Sequence, residues 1–165
     1  MSPAPGVVLD SDFLSAFLKI DRLSLVKDFY QVEELLVPPA VYREVGLTDL
    51  LPKLITLPWV RVQLLDANRK QVLWQDGELA KLGPGEQEAI ALSLDRGGAV
   101  LLMNDNEARR VATRLGIEVL NIPTFLSACK LSGFTSREEI ADLISALEER
   151  DRYGFRKDVR NLLLS

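Results

Sequence analysis

Short apolar blocks alternate along this chain with stretches in which apolar residues recur every three or four positions. Gly6-Val7-Val8-Leu9-Asp10 reads as a short buried strand ending in a carboxylate, and Phe13, Leu14, Phe17, Leu18 and Ile20 follow at helical spacing. Leu23 to Tyr30 predicts a second short helix, with Asp21 as its cap. Leu35-Leu36-Val37 is another strand block, stopped by Pro38-Pro39. A proline pair suits a first helical turn, where no amide donor is needed, so a helix is expected from Ala40 through Val45 to Gly46. Residues 47–58 read as a connector with a short helix, and Trp59 to Leu65 alternates like an edge strand. Gly83-Pro84-Gly85 breaks the chain before a helix over Glu86 to Leu94, which Gly97-Gly98 ends. Ala99 to Met103 is the clearest buried strand. Asn104-Asp105-Asn106-Glu107 opens a helix to Leu115, and Ile117 to Leu120 is a further strand. Helices are then expected from about Pro123 to Leu131, Ser136 to Glu149 and Lys157 to Leu164.

Apolar strands alternating with amphipathic helices predict an α/β chain with a parallel sheet covered on both faces. No repeat, low-complexity segment or long linker divides the sequence, so one domain spanning residues 1–165 is expected, with the helices from about 136 packing on it.

Composition narrows the chemistry. The chain has one cysteine, Cys129, and no histidine, which excludes an internal disulfide framework, serine triads and histidine-based zinc or acid–base schemes. Any reaction must use carboxylates, hydroxyls, lysines, arginines or a borrowed metal. Hydrophobic content of 47% with 27% charged residues fits a folded globular chain. The N-terminus lacks a secretory pattern and no apolar run reaches the roughly 20 residues of a membrane span, so a cytoplasmic protein without membrane association is expected. A net charge of −4 argues against a generally basic nucleic-acid wrapper, but a divalent ion at an acidic site reverses the local field.

The carboxylates fall in a pattern. In an open parallel sheet, ligands bind outside the carboxyl ends of the strands. Asp10 ends the first strand and Asp105 lies just past the Ala99–Met103 block, so the two face one crevice if those strands run parallel near the centre of the sheet. Glu86 opens the helix before that block, and Glu44 lies on the helix after the proline pair. Carboxylates gathered at one site repel unless a cation holds them together, and oxygen-only donors suit Mg²⁺ or Mn²⁺. Ser11 and Asn104 stand beside the two aspartates, able to orient a water or phosphate oxygen. Each residue also has an ordinary structural reading. Asp10 caps a helix, Asn104 to Glu107 has capping-box spacing, Glu86 suits a helix dipole, and Glu44 is a solvated helix residue. Spacing alone leaves a metal site and four caps both open.

The segments VVLDSDFLSAF, VPPAVYREV, LGPGEQEAIALSLDRGG and LLMNDNEARRVATRLGIEV resemble the successive signature blocks of PIN domains, and the tail RYGFRKDVRNLLLS resembles the ending of one PIN-like subfamily often assigned to toxin–antitoxin pairs. The resemblance covers nearly the whole chain. It implies a three-layer α/β/α sandwich around a parallel sheet and a Mg²⁺- or Mn²⁺-dependent endoribonuclease similar to VapC-type toxins. It also implies an RNA substrate, an antitoxin partner and a homodimer. On that pattern Asp10, Glu44, Glu86 and Asp105 match the acidic residues, with Asp10, Glu86 and Asp105 as metal ligands. Ser11 matches the hydroxyl neighbour and Asp12 supplements the site. The common toxin pattern has Asp where this chain has Glu86, and a further acid where it has Ala108. A catalytically silent PIN-like module that binds RNA or protein is therefore the alternative. A haloacid-dehalogenase-like phosphatase is a weaker one, resting on Asp10-Ser11-Asp12 alone. Arg43, Arg109, Arg110 and Arg114 are the candidate phosphate contacts. Arg109 and Arg110 point about 100° apart on a helix, so at most one of them faces the crevice.

Overall fold

The computed structural model describes residues 6–165. Its sheet is built from β1 (Val7–Leu9), β2 (Leu35–Val37), β3 (Val60–Val62), β4 (Val100–Leu102) and β5 (Glu118–Leu120), every neighbouring pair parallel, in the order β3-β2-β1-β4-β5. The helices are α1 (Ser11–Lys19), α2 (Leu23–Tyr30), α3 (Pro39–Gly46), α4 (Leu51–Ile55), α5 (Ala67–Leu73), α6 (Gly77–Ala80), α7 (Pro84–Arg96), α8 (Asn106–Arg114), α9 (Ile122–Leu131), α10 (Arg137–Ala146) and α11 (Lys157–Leu164).

Side chains alternate across a strand, so each central strand feeds two cores. Val7, Leu9, Leu35, Val37 and Leu102 face the layer containing α1, α2, α9 and α10. Val8, Leu36, Leu101 and Met103 face the layer containing α7 and α8. This is the three-layer α/β/α sandwich expected, and the apolar runs are continuous because both faces are covered. In the first core Phe125 touches Phe13 and Phe17 edge-on, both at 5.7 Å between ring centres, and Phe29 at 5.5 Å. Ile140, Leu143, Ile144, Leu147 and Leu163 join the same core, which fixes α10 and α11 to the sandwich.

Several local expectations change. Asp21 does not cap α2. Its backbone is left-handed, with φ 56°, it pairs with Lys53 at 3.0 Å, and Arg22 occupies the cap position. The cap of α8 is Asp105, whose Oδ1 accepts from the Ala108 N–H at 2.8 Å, whereas Asn104 accepts from the Ile122 N–H at 3.0 Å. The cap is therefore displaced by one residue from the expected Asn104, and no capping box forms because the third helical residue is then Ala108. The helix expected to reach Glu149 is α-helical only to Ala146 and widens into a π-turn over Leu147–Asp151. Residues 66–82, for which the sequence pattern gives no element, form α5 and α6, capped by the Asp66 and Asp76 side chains. Of the apolar tail, Leu163 is core, but Leu162 is 70% exposed.

Candidate metal centre

From β1 the chain builds outward through β2 to β3 and then returns to place β4 and β5 on the other side of β1, so the strand order reverses between β1 and β4. A crevice at the carboxyl ends of the strands is expected at that switch. The Asp10 N–H donates to the Leu102 carbonyl at 3.0 Å, extending the β1–β4 ladder by one rung and anchoring the Asp10 backbone at its edge. Asp105 lies three residues past Leu102, at the start of α8. α3 packs against α7, which brings Glu44 and Glu86 to the same opening. A cleft of about 230 Å³ results, lined by Asp10, Ser11, Asp12, Glu44, Gly83, Gly85, Glu86 and Asp105.

All four acids of the resemblance, with Ser11 and Asp12, therefore share one cleft. Asn104 lines the neighbouring cavity instead. Asp10 is buried, at 4% exposure, and its Oδ1 has no hydrogen-bond partner; the Ser11 Oγ beside it is also buried and unpartnered. Burial, reinforced by the charges of Glu86, Asp12 and Glu44, pushes the Asp10 carboxyl up to about 7, against an opposing hydrogen bond from the Ser11 backbone. Burial also raises Asp12, with further contributions from Asp151, Glu44 and Asp105 that Lys19 partly offsets. Glu86 is raised by burial and by Asp105, while the Gly83 N–H, donating to its Oε1 at 3.1 Å, holds it down.

An unpartnered buried carboxylate oxygen is costly and demands a proton or a cation. The donor set is all oxygen, which fits Mg²⁺ or Mn²⁺. Among the described residues, no three acids stand close enough to clasp one ion as they are. Asp10 and its neighbours therefore have the donor chemistry for a divalent ion, but the side chains must draw inward to hold it. Glu44 and Asp105 lie exposed at the rim, free to make that movement.

The arginines divide sharply. Arg110 pairs with Glu107 and Glu78, and Arg114 with Asp76 at 2.7 Å, which ties α8 to α6. Arg43 lines a second cleft, which also contains Glu44 and Glu88, and not the one around Asp10. Only Arg109 of the three on α8 turns away from those acids, toward the cavity flanking the metal cleft. Sequence reasoning missed Glu88, whose Oε1 accepts from the Ala40 N–H at 3.2 Å and so fixes α3 against α7. No local signal distinguishes it from a solvated helix residue.

It also read Gly85 only as a break. A Cβ built there meets the Glu44 Oε1 at 2.9 Å and the Ser11 Oγ at 3.3 Å. Because Glu44 is an exposed, flexible side chain, Gly85→Ala is expected to change stability by less than about 1 kcal/mol, helped by alanine's helix propensity. It should nevertheless push Glu44 out of the cleft and weaken Mn²⁺ binding roughly tenfold, the scale of losses around metal ligands. A melt together with Mn²⁺ calorimetry checks both halves, and unchanged metal affinity would remove Glu44 from the site.

A family model described as a PIN domain matches residues 6–165. No curated protein matches the sequence significantly.

Proposed function

This chain belongs to the PIN domain family, and from that premise we propose that it is a divalent-metal-dependent endoribonuclease, the toxin of a toxin–antitoxin pair. The observation that carries the reading is the buried, unpartnered Asp10 carboxylate at the centre of a cleft that also draws in Glu44, Glu86 and Asp105. Family membership supplies a nuclease-type fold. The acidic cleft supports the metal, and RNA, antitoxin, homodimer and a cytoplasmic site of action are proposed with it. No helix is long and apolar enough to cross a membrane among the described residues.

Asp10, Glu86 and Asp105 would hold Mg²⁺ or Mn²⁺. Such an ion supplies Lewis-acid polarisation of a phosphodiester and a more acidic bound water. Asp10 would give the anchoring charge, since its backbone is fixed at the sheet edge and its unpartnered Oδ1 is buried in the wall of the cleft. Ser11 provides a hydroxyl that orients a water or a phosphate oxygen. Glu44, exposed at the same cleft, would take a proton from the attacking water. Asp12 adds negative charge to the cleft, which Lys19, paired with Asp151 at 2.8 Å, partly offsets. Glu86, one methylene longer than an aspartate, keeps one oxygen on the Gly83 N–H and so offers the other to the ion.

That shared use of Glu86, with acids that do not close on one point, favours the second reading, a silent module that binds RNA or protein without turnover. Cleavage of a labelled RNA in Mn²⁺, compared between wild type and Asp105→Asn, separates the two. Metal-dependent cleavage lost in the variant supports the nuclease; RNA binding without cleavage in wild type establishes the silent module. Hydrolysis of a generic phosphomonoester would instead revive the phosphatase alternative.

A further inference from the structure

A cavity of about 840 Å³ opens beside the acidic cleft, and Asn104 and Asn106, the two neighbours of Asp105 in the chain, form its near wall. Its volume falls within the range of ligand sites, roughly 300–1,000 Å³. In a chain of net charge −4, the lining carries Arg109, Lys130 and Arg156 and no carboxylate side chain, although Arg156 is itself paired with Asp158 at 2.8 Å. The contrast with the acid-lined cleft next to it is abrupt.

The groups on this wall are donors. Arg109 makes no ion pair with a described residue; its Nη2 donates to the Asn106 side chain, and its Nε is buried without a partner. Asn104 and Asn121 each commit the side-chain oxygen to a backbone N–H, of Ile122 and Thr124, both at 3.0 Å. The NH₂ group of each amide is therefore what remains for a ligand. Lys130 donates to the Leu162, Leu163 and Ser165 main-chain oxygens, at 3.2, 2.9 and 2.7 Å, so it is fixed in the wall and leaves Arg109 as the cation open to a ligand. Tyr153 supplies an aromatic ring, braced edge-on by Phe155 at 4.7 Å between centres. A guanidinium, amide donors and an aromatic ring together suit a ligand with a phosphate, acceptor-rich edges and a flat π-face.

We propose that this cavity seats one unstacked nucleotide of a single RNA strand, with its phosphate on Arg109 and its base against Tyr153, beside the phosphodiester presented to the acidic cleft. The proposal rests on the reading that RNA reaches that cleft. A free mononucleotide offers the same chemistry. The strand is the better fit because Asn104 and Asn106 of the cavity flank Asp105 of the cleft in the chain, so a ligand spanning both sites must extend past one nucleotide. A base stacked within a duplex does not enter a pocket of this kind, so the site selects single strands or loops.

The test uses the full chain carrying Asp10→Asn, which removes turnover and one repelling charge. Binding of a fluorescein-labelled single-stranded RNA hexamer is followed by anisotropy at low salt, with AMP as competitor. Adding Y153A is expected to weaken binding roughly 5- to 100-fold, the scale of lost base stacking. R109A should weaken it at least about tenfold, as for a charge-assisted phosphate contact, while Y153F stays within about twofold because the ring is kept. Thr124→Trp, on the exposed rim, should reproduce the loss without disturbing the interior, which guards against a folding defect in the others. Hexamer affinity unchanged in all of these variants, or no hexamer binding by the parent, overturns the proposal. AMP binding that depends on Arg109 while hexamer binding does not would overturn the strand assignment in favour of a free nucleotide. Wild-type cleavage in Mn²⁺ with a KM that R109A and Y153A leave unmoved would sink the pocket and spare the ribonuclease. Arg109- and Tyr153-dependent binding without wild-type cleavage would do the reverse.

Discussion

Asp10→Asn is expected to abolish Mn²⁺ binding heat and to lower RNA cleavage on the order of 10³- to 10⁴-fold, as loss of an essential carboxylate does, while making the metal-free protein more stable at pH 8. The second half follows from the same burial that makes the residue useful. The folded chain raises the Asp10 carboxyl from 3.8 to about 7, so it binds that proton more tightly than the unfolded chain does. The associated stability is fully present below about pH 4 and is lost as pH rises toward 7 and beyond. Asparagine carries no charge and does not incur the loss. The full shift corresponds to roughly 4 kcal/mol, and salt screens the part contributed by Glu86, Asp12 and Glu44, so about 2–4 kcal/mol is expected at pH 8. Urea unfolding in EDTA should show that gain at pH 8 and little difference between the proteins at pH 4. Adding Mn²⁺ should stabilise wild type alone, because only there does the ion meet the carboxylate. An Asn variant destabilised equally at both pH values would mean that Asp10 carries no buried charge and anchors the fold by other means.

Phe125→Ala should be the most damaging single change to the fold. Phe125 has no exposed surface and sits where the rings of Phe13, Phe17, Phe29 and Tyr30 meet. Removing a buried phenylalanine costs about 3–5 kcal/mol through lost transfer energy and the cavity left behind. That is a fifth or more of the roughly 5–15 kcal/mol that holds a typical domain folded. The consequence reaches the acidic cleft, because Phe13 and Phe17 lie on α1, whose first residue is Ser11. The urea midpoint should fall in proportion with little change in slope, and Mn²⁺ affinity should weaken as α1 loosens. A loss under about 1 kcal/mol would show that the neighbouring rings collapse into the space.

The strands were legible because a parallel sheet buried on both faces writes itself as contiguous apolar blocks, as in Val7-Val8-Leu9 and Ala99 to Met103. Pro39 at the first turn of α3 and Gly97 after α7 were equally local, each fixed by the backbone geometry of its own residue. α5 was invisible for the complementary reason: it buries no residue, so it has no apolar stripe, and its Asp66 cap has no periodic pattern behind it. The Asn104–Asp105 cap shifted by one because either side chain can satisfy a first-turn N–H, and Asn104 was drawn away by Ile122, eighteen positions along.

The acidic cleft divides along the same line. That Asp10 and Asp105 follow strands is written in the sequence. That those strands are neighbours, at the point where the sheet reverses its order, depends on pairing across more than ninety residues. Glu44 and Glu86 reach the cleft only because α3 docks on α7, an event no local pattern encodes. Burial of Asp10, and the orphaned oxygen that calls for a cation, likewise arise only when the sheet edge and the surrounding helices close around it. The sequence by itself determined which residue types were available and which stood at the ends of elements, since those depend on the chain's own periodicity and caps. The tertiary structure decided which of them met, because electrostatic repulsion, desolvation and cavity shape belong to distances through space.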